Sequence, residues 1–314
     1  MVAQTDLDHA DTDDHQPIFM SFNEGLVSPK SDTHAHSFRG LHKLEPKHKA
    51  PITGCCFSGA DSEERVTVCT ISWDGHASLY DATTGTFLRD LKHVHITGIL
   101  CCTFFRENTS GREYLCLGGV DKSISLYRQL DTLDGHVFSN CWKLGLLDVV
   151  QLMDIHAEGV TCCCVSDERL CLGSWDRTAS IIKVESLAKI FEVARDMNNT
   201  AAPRPELEPE PEQPASWRTV SFEKLEEKCP SWRSAHIKYH KDAILCCCFG
   251  EKGEKLCLGS QDKTATVWNV QDVELSEWLE GSGGLHVHGQ CTRTLRDDSF
   301  RMHTILAVIV CRRE

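Results

Sequence analysis

The sequence predicts an all-β fold assembled from one short unit that recurs along the chain. Residues 255–269, KLCLGSQDKTATVWN, combine an apolar run, a Gly-Ser-Gln-Asp turn and a second alternating run, which is the pattern of strand, tight turn and strand. The same register recurs at RLCLGSWDRTASIIK (169–183), YLCLGGVDKSISLYR (114–128) and TVCTISWDGHASLYD (67–81). Copies that hold one register over this length indicate a duplicated supersecondary unit.

A second element precedes each copy and consists of a histidine followed by a cysteine-rich apolar strand. The four segments begin at His48, His95, His156 and His240, and each carries Val or Ile four residues after the histidine and Cys seven residues after it. The distances from each histidine to the turn aspartate are 26, 26, 20 and 22 residues. A hairpin loop of changing length gives this variation. Several short strands in a repeat of this size indicate a β-propeller or an array.

The motif Leu-x-x-Gly-Ser-x-Asp-x-Thr-x-x-x-Trp-Asn, preceded by the histidine, resembles the WD-repeat (Trp-Asp repeat) β-propeller family. Residues 240–269 carry it best, and the resemblance covers roughly residues 36–196 and 236–280. It implies a propeller of WD-repeat type with four clear blades and a partial fifth, incomplete or truncated. Individual copies depart from the family, because none of the four histidines is preceded by glycine and the Trp position reads Tyr80, Tyr127 and Ile182 in the first three.

The chain divides into four segments. Residues 1–35 are acidic and poor in apolar anchors, which predicts a disordered tail. Blades one to three occupy 36–196, an acidic Pro/Glu-rich insert with a return strand occupies 197–235, and blade four with a partial last blade occupies 236–314. Propellers close with four to eight blades. We therefore expect a cryptic blade within 186–239, pairing with a second chain, or a truncated product, and we favour the last.

Composition narrows the class of partner. The formal charge of −13 argues against nucleic acid and anionic membranes as general partners. No apolar run reaches the roughly 18 residues of a membrane span, and the amino terminus lacks the apolar core of a secretory signal. We expect a cytoplasmic protein, with the nucleus as the alternative, that binds other proteins or peptides and not a small-molecule substrate.

A serine, a histidine and an aspartate recur in the copies, and together they first suggest a nucleophile, a base and an orienting acid. Recurrence favours structure instead, because an enzyme needs one active site and not a copy in each blade. The resemblance implies a buried hydrogen-bond network that joins the loop before each first strand to the turn, so we predict no catalytic residue. Loss of one member would cost about 1–3 kcal/mol. The predicted network contains His48, Ser72, Asp74, His95, Asp121, His156, Ser174, Asp176, His240, Ser260, Asp262 and Trp268.

The 18 cysteines lie mostly in runs on the predicted strands. Neighbouring residues of a strand point to opposite faces, so the members of one run cannot share a ligand site. No Cys-x-x-Cys spacing is present, which removes the strong zinc signature. We expect reduced thiols that pack between blades, with no metal and no cofactor.

The residue before each turn aspartate is the predicted protein-binding position. These residues are Trp73, Val120, Trp175 and Gln261. The resemblance implies that they lie at the rim of one face, where partners dock, and exposed tryptophans are typical of binding hot spots. The alternative is that each indole folds back over its own blade.

The predicted function is a non-catalytic scaffold or adaptor, for example a subunit of a larger complex. One alternative within this class is a substrate receptor of a ubiquitin ligase. A different class is a cysteine- or metal-dependent hydrolase, which one hyper-reactive thiol or one stoichiometric metal ion would favour.

Overall fold

A computed structural model describes residues 43–45, 47–59, 66–91, 95–108, 110–129, 147–166, 168–199, 217–228, 233–250, 253–270 and 291–296. The strands in these ranges form four sheets, which we call blades one to four, and the fold is the predicted all-β fold of propeller type. None of the helices in the same ranges is both long enough and apolar enough to cross a membrane. The predicted tail, residues 1–35, lies outside the described residues.

Each blade contains a four-stranded antiparallel meander. Blade one contains β1 (Ile52–Phe57), β2 (Thr67–Ser72), β3 (Ala77–Asp81) and β4 (Phe87–Leu91). Blade two contains β5 (Ile99–Arg106), β6 (Glu113–Gly119), β7 (Ile124–Gln129) and β8 (Leu147–Met153). Blade three begins with β9 (Val160–Val165), β10 (Arg169–Ser174) and β11 (Thr178–Lys183).

An insert separates the third and fourth strands of blade three. It contains helix α1 (Glu185–Asn199), strand β12 (Trp217–Ser221) and helix α2 (Phe222–Lys228), after which β13 (Arg233–Lys238) returns and pairs with β11. The sequence analysis ended the third blade at residue 196 and gave the insert one return strand. The structure instead places a helix at the end of that range and two strands beyond it.

The insert is attached to blade two. Strand β12 pairs in parallel with β8 and gives blade two a fifth strand. The Asp148 carboxylate on β8 accepts hydrogen bonds from Arg128 at 2.9 Å and from Arg218 of β12 at 2.6 Å. Asp148 is 1% exposed, so its charge is balanced inside the protein by these two guanidinium groups. Helix α1 packs its apolar face, which includes Leu187, into the same core.

Blade four contains β14 (Ile244–Gly250), β15 (Lys255–Ser260), β16 (Thr264–Asn269) and β17 (Cys291–Arg296). The sequence predicts blade four and a partial last blade within residues 236–314. In the structure β17 pairs with β16 as the outer strand of blade four. The remainder of the predicted fifth blade lies outside the described residues.

The core lies between consecutive blades. In blades two and three, the second strand carries a glycine onto which a branched side chain of the next blade packs directly. A Cβ on Gly118 would lie 2.8 Å from Cγ1 of Val160, and a Cβ on Gly173 would lie 2.7 Å from Cγ2 of Ile244. Any side chain at these glycines would therefore push two blades apart.

Candidate functional site: the corner turns and their rim

The second and third strands of every blade are joined by a corner that holds the turn aspartate. In each corner the residue after the aspartate has a left-handed backbone, with φ of 76° at Gly75, 67° at Lys122, 71° at Arg177 and 67° at Lys263. The backbone N–H two residues after each aspartate donates to its carboxylate, as from Thr178 to Asp176 at 2.9 Å. This Asx-type hydrogen bond fixes the tight turn.

The same carboxylates join the corner to the loop before the first strand of the blade. The His Nδ1 to Asp oxygen distances are 2.9 Å for His95 and Asp121, 3.0 Å for His156 and Asp176, 3.1 Å for His240 and Asp262, and 3.4 Å for His48 and Asp74. The backbone N–H that follows each histidine donates to the same aspartate. Each carboxylate thus receives hydrogen bonds from two chain segments that are 20 to 26 residues apart.

The serines do not complete a nucleophile. Ser72, Ser174 and Ser260 donate from Oγ to the carbonyl oxygens of Ala50, Glu158 and Asp242, respectively. In the same three corners the aspartate N–H donates to the serine Oγ. Blade two has Gly119 at this position. The serine hydroxyls of blades one, three and four therefore hold backbone groups.

Trp268 joins the corner of blade four through a threonine. Its indole N–H donates to Thr266 Oγ1 at 2.8 Å, and the same oxygen is 2.9 Å from His240 Nε2. The residues at the Trp position of the other blades, Tyr80, Tyr127 and Ile182, are also buried. The position is thus buried in all four blades although its residue type varies.

Hydrogen bonding keeps the corner aspartates ionised. Burial raises the pKa of Asp121 and of Asp176, but hydrogen bonds and charge attraction from His95 and His156 outweigh it, and both pKa values are lowered. At Asp262 burial is outweighed by the hydroxyl of Thr264 and the N–H of Lys241, which bring the pKa to about 2. The pKa of Asp74 is lowered as well, against burial, by the N–H groups of Lys49 and His76.

The four predicted protein-binding residues occupy equivalent points beside these corners. Each backbone N–H donates to the loop before the first strand of its own blade: Trp73 to Pro51, Val120 to Gly98, Trp175 to Gly159 and Gln261 to Ala243. Gln261 is exposed, and the other three side chains are half-buried. Together with Ile96, described below, we call these residues the corner rim.

The tryptophans are less exposed than the sequence analysis assumed, because glycines lie beneath them. A Cβ on Gly98, in the loop of blade two, would lie 2.3 Å from Cε3 of Trp73, so this indole packs onto the next blade. A Cβ on Gly159 would lie 2.9 Å from Cε3 of Trp175, so that indole packs onto its own blade. Both side chains are half-buried, so each keeps part of its surface exposed.

The family comparison agrees with this geometry. The family model for the WD domain, G-beta repeat, matches residues 232–269, which include the corner of blade four. Residues 232–269 are therefore a WD repeat, as the sequence resemblance implied. No curated protein sequence matches it.

Solved structures with similar folds include chains of the complex named in their titles. One is from apo ctPRC2 in an autoinhibited state, with 11% identity, a TM-score of 0.45 and coverage of 72% of this chain and 39% of that chain. Another is from a humanised mutant of the Chaetomium thermophilum Polycomb Repressive Complex 2 bound to an inhibitor, with 12% identity, a TM-score of 0.45 and coverage of 72% and 40%. This WD-repeat chain therefore matches about two-fifths of the length of each.

Ile96 is a rim residue that the sequence analysis missed. It follows His95 directly, and its side chain is 93% exposed. The equivalent residues of the other WD repeats are Lys49, Ala157 and Lys241. An isoleucine at a position that otherwise carries Lys or Ala was the available signal, because a large apolar side chain gains nothing from full exposure.

Blade one also has an exposed apolar face. Ile52 and Phe57 on β1 are 59% and 64% exposed, whereas Ile99, Val160 and Ile244, which correspond to Ile52, are fully buried against the preceding blade. Within the described ranges no blade precedes blade one. This second surface lies on the side of the blade and not at the corner rim.

Cysteines of different strands supply the residues of this WD-repeat chain that could hold a metal ion. The structure brings together Cys56, Cys69 and Cys102, and separately Cys164, Cys171 and Cys247. The sequence argument that members of one run cannot share a site agrees with these groups, because each draws its sulfurs from three strands. The third sulfur of each group, which lies on a strand of the neighbouring blade, was not predicted.

Proposed function

We propose that this WD-repeat chain is a non-catalytic scaffold that binds a protein or peptide partner at the corner rim. The observation that carries the proposal is the set of apolar side chains at neighbouring corners, with Ile96 almost completely exposed in the loop whose Gly98 lies beneath Trp73. Exposed isoleucine and half-exposed indole supply apolar area that a partner can bury, and tryptophan is the side chain most enriched in binding hot spots.

The contacts between corners make the rim continuous over three blades. Trp73 of blade one lies on the loop of blade two, and the Cα of Val120 would lie 3.1 Å from a Cβ on Gly159 of blade three. The carboxylate hydrogen bonds hold both the corners and the loops in place. A partner would therefore meet a surface that is already ordered, which lowers the entropic cost of binding.

The test compares two exposed apolar side chains that lie on different surfaces. Full-length chain carrying Ile96→Asp at the rim and full-length chain carrying Phe57→Asp on the side of blade one are used as baits beside the wild type, and captured proteins are quantified by mass spectrometry. We expect Ile96→Asp to lose, by about tenfold or more, partners that Phe57→Asp retains, because an aspartate would be desolvated in the interface. Both residues are mostly exposed, so neither substitution should lower the melting temperature.

The double variant Trp73→Ala with Trp175→Ala gives a second measurement. Because both indoles are half-buried, we expect each truncation to cost about 1–2 kcal/mol of folding free energy besides its effect on capture. Partners that survive Ile96→Asp and the double variant but disappear with Phe57→Asp would place binding on the side of blade one and reject the rim.

A further inference from the structure

Two groups of three cysteine sulfurs lie between blades, and they are built in the same way. In each group all three Sγ atoms lie within 4.8 Å of one another. Cys56 and Cys69 are directly opposite on β1 and β2, as Cys164 and Cys171 are on β9 and β10. The third sulfur comes from the next blade, where Cys102 and Cys247 are each the seventh residue after the histidine.

The repeat explains why these sulfurs meet. Successive residues of a strand point to opposite faces, so the seventh residue after a histidine faces the preceding blade and the eighth faces the following blade. Three thiols meet at one junction when two conditions hold. The eighth residue after the histidine and the opposite residue of the second strand are cysteines in one blade, and the seventh residue after the histidine is cysteine in the next blade. The junctions between blades one and two and between blades three and four meet both conditions.

The middle junction lacks a cysteine at one of the three equivalent positions. The residue opposite Cys116 of blade two is Thr103, which takes the place held by Cys56 and Cys164 in the other junctions. Cys163 of blade three, the seventh residue after His156, contacts both Cys116 and Cys101 of blade two. Among the described residues this junction forms no group of three ligands. The protein therefore contains its own comparison for the effect of the third sulfur.

The geometry suits a soft metal ion. A zinc–thiolate bond is about 2.3 Å long, so sulfurs around a tetrahedral ion lie about 3.8 Å apart. Sulfurs already within 4.8 Å need only small side-chain movements to reach that distance. Neither group includes a carboxylate or an imidazole. Thiolates alone favour Zn²⁺ or Cu⁺ over Mg²⁺ or Ca²⁺.

The six cysteines of the two groups differ in burial. Cys69 and Cys171 are fully buried, whereas the other four cysteines of the two groups are half-buried. Binding of the ion releases the protons of the thiols to solvent.

We propose that each of the two junctions, Cys56–Cys69–Cys102 and Cys164–Cys171–Cys247, binds one thiophilic d¹⁰ metal ion, Zn²⁺ or Cu⁺. The ion would link two consecutive blades through three sulfurs and leave a fourth coordination position open. The proposal is independent of the corner rim, since none of these cysteines lies at a corner.

The test is a metal titration of the reduced, metal-stripped full-length chain under anaerobic conditions. Zn²⁺ and Cu⁺ are titrated separately against a chromophoric chelator, with Mg²⁺ as the hard-ion control. We expect two equivalents of the preferred ion per chain. Cys69→Ser and Cys171→Ser should each remove one equivalent, whereas Cys55→Ser, which alters an exposed thiol outside both groups, should leave two.

Thr103→Cys is the gain-of-site variant. It completes the middle junction with Cys116 and Cys163, so we expect a third equivalent. Because Cys69 and Cys171 are buried, circular dichroism checks that their variants fold, and Cys56→Ser at a half-buried position repeats the test at the first junction. The proposal is overturned if the wild type binds neither ion, if Cys55→Ser lowers the stoichiometry as much as Cys69→Ser, or if the thiols form disulfides and exclude metal.

Discussion

Blade one and blade four carry the same repeat in different surroundings. Ile244 on the first strand of blade four is fully buried against blade three, whereas Ile52 at the same position of blade one is 59% exposed. The corner of blade four closes at 3.1 Å between His240 and Asp262, whereas His48 and Asp74 are 3.4 Å apart. The comparison indicates that the contribution of a repeated residue to stability depends on the neighbouring blade as well as on the repeat that contains the residue.

Removing the branched side chain at this position should give the largest difference in stability between a variant of blade four and the matching variant of blade one. Ile244→Ala would leave a cavity against Gly173 of blade three, and we expect a loss of about 2–5 kcal/mol in the free energy of unfolding. Ile52→Ala removes a side chain that is mostly in solvent, and we expect a loss below about 0.5 kcal/mol. Urea denaturation of both variants measures the difference. Equal losses would mean that blade one is covered in solution.

The left-handed residue of the corner provides a second comparison. Blade one has Gly75, and a Cβ there would lie 2.8 Å from the carbonyl oxygen of His95 and 2.9 Å from that of Thr97. Blade four accommodates Lys263 at the same position with a similar φ. Gly75→Ala combines the left-handed penalty of an L-residue with a backbone contact, so we expect a loss of about 2–3 kcal/mol.

Lys263→Ala is the matched control for that substitution. It keeps a Cβ at the left-handed position, and we expect a change below about 0.5 kcal/mol. Melting temperatures of the two variants under one buffer condition test the comparison. A loss at Lys263→Ala as large as that at Gly75→Ala would show that the corner itself, and not its contact with blade two, limits stability.

The sequence predicted the parts of the molecule that repeat. The alternation within each copy and the shared register placed the hairpins, and recurrence of the histidine and aspartate predicted which segments would meet. These features are local or occur several times, so each copy supports the others. The confirmed parts of the prediction are accordingly the all-β class and the WD-repeat type.

Features that depend on one non-local contact were not predicted. The attachment of β12 to blade two rests on Arg218 and Asp148, which are 70 residues apart and have no copy elsewhere in the described ranges. The half-burial of Trp73 depends on Gly98 in the next blade. The thiol groups require the offset between blades, because their third sulfur lies outside the copy that supplies the other two.

Lowering the pH should destabilise the corners of blade four and blade one by different amounts, and this is the smallest difference that we expect. Asp262 has a pKa of about 2 in the folded protein, below its ordinary value of 3.8, so its contribution to stability is complete above about pH 4 and is lost as the pH falls toward 2. Asp262→Asn removes this carboxylate, and we expect a loss of about 1–2 kcal/mol at pH 7 that shrinks as the pH falls through that window. Asp74→Asn should show a smaller loss, because the longer distance to His48 makes a weaker contact.

Melting temperatures of the wild type and both variants between pH 7 and pH 3 measure these differences. A constant gap between wild type and Asp262→Asn over this range would mean that the corner is held by its backbone hydrogen bonds, which Asn can also accept, and not by the charge of the carboxylate.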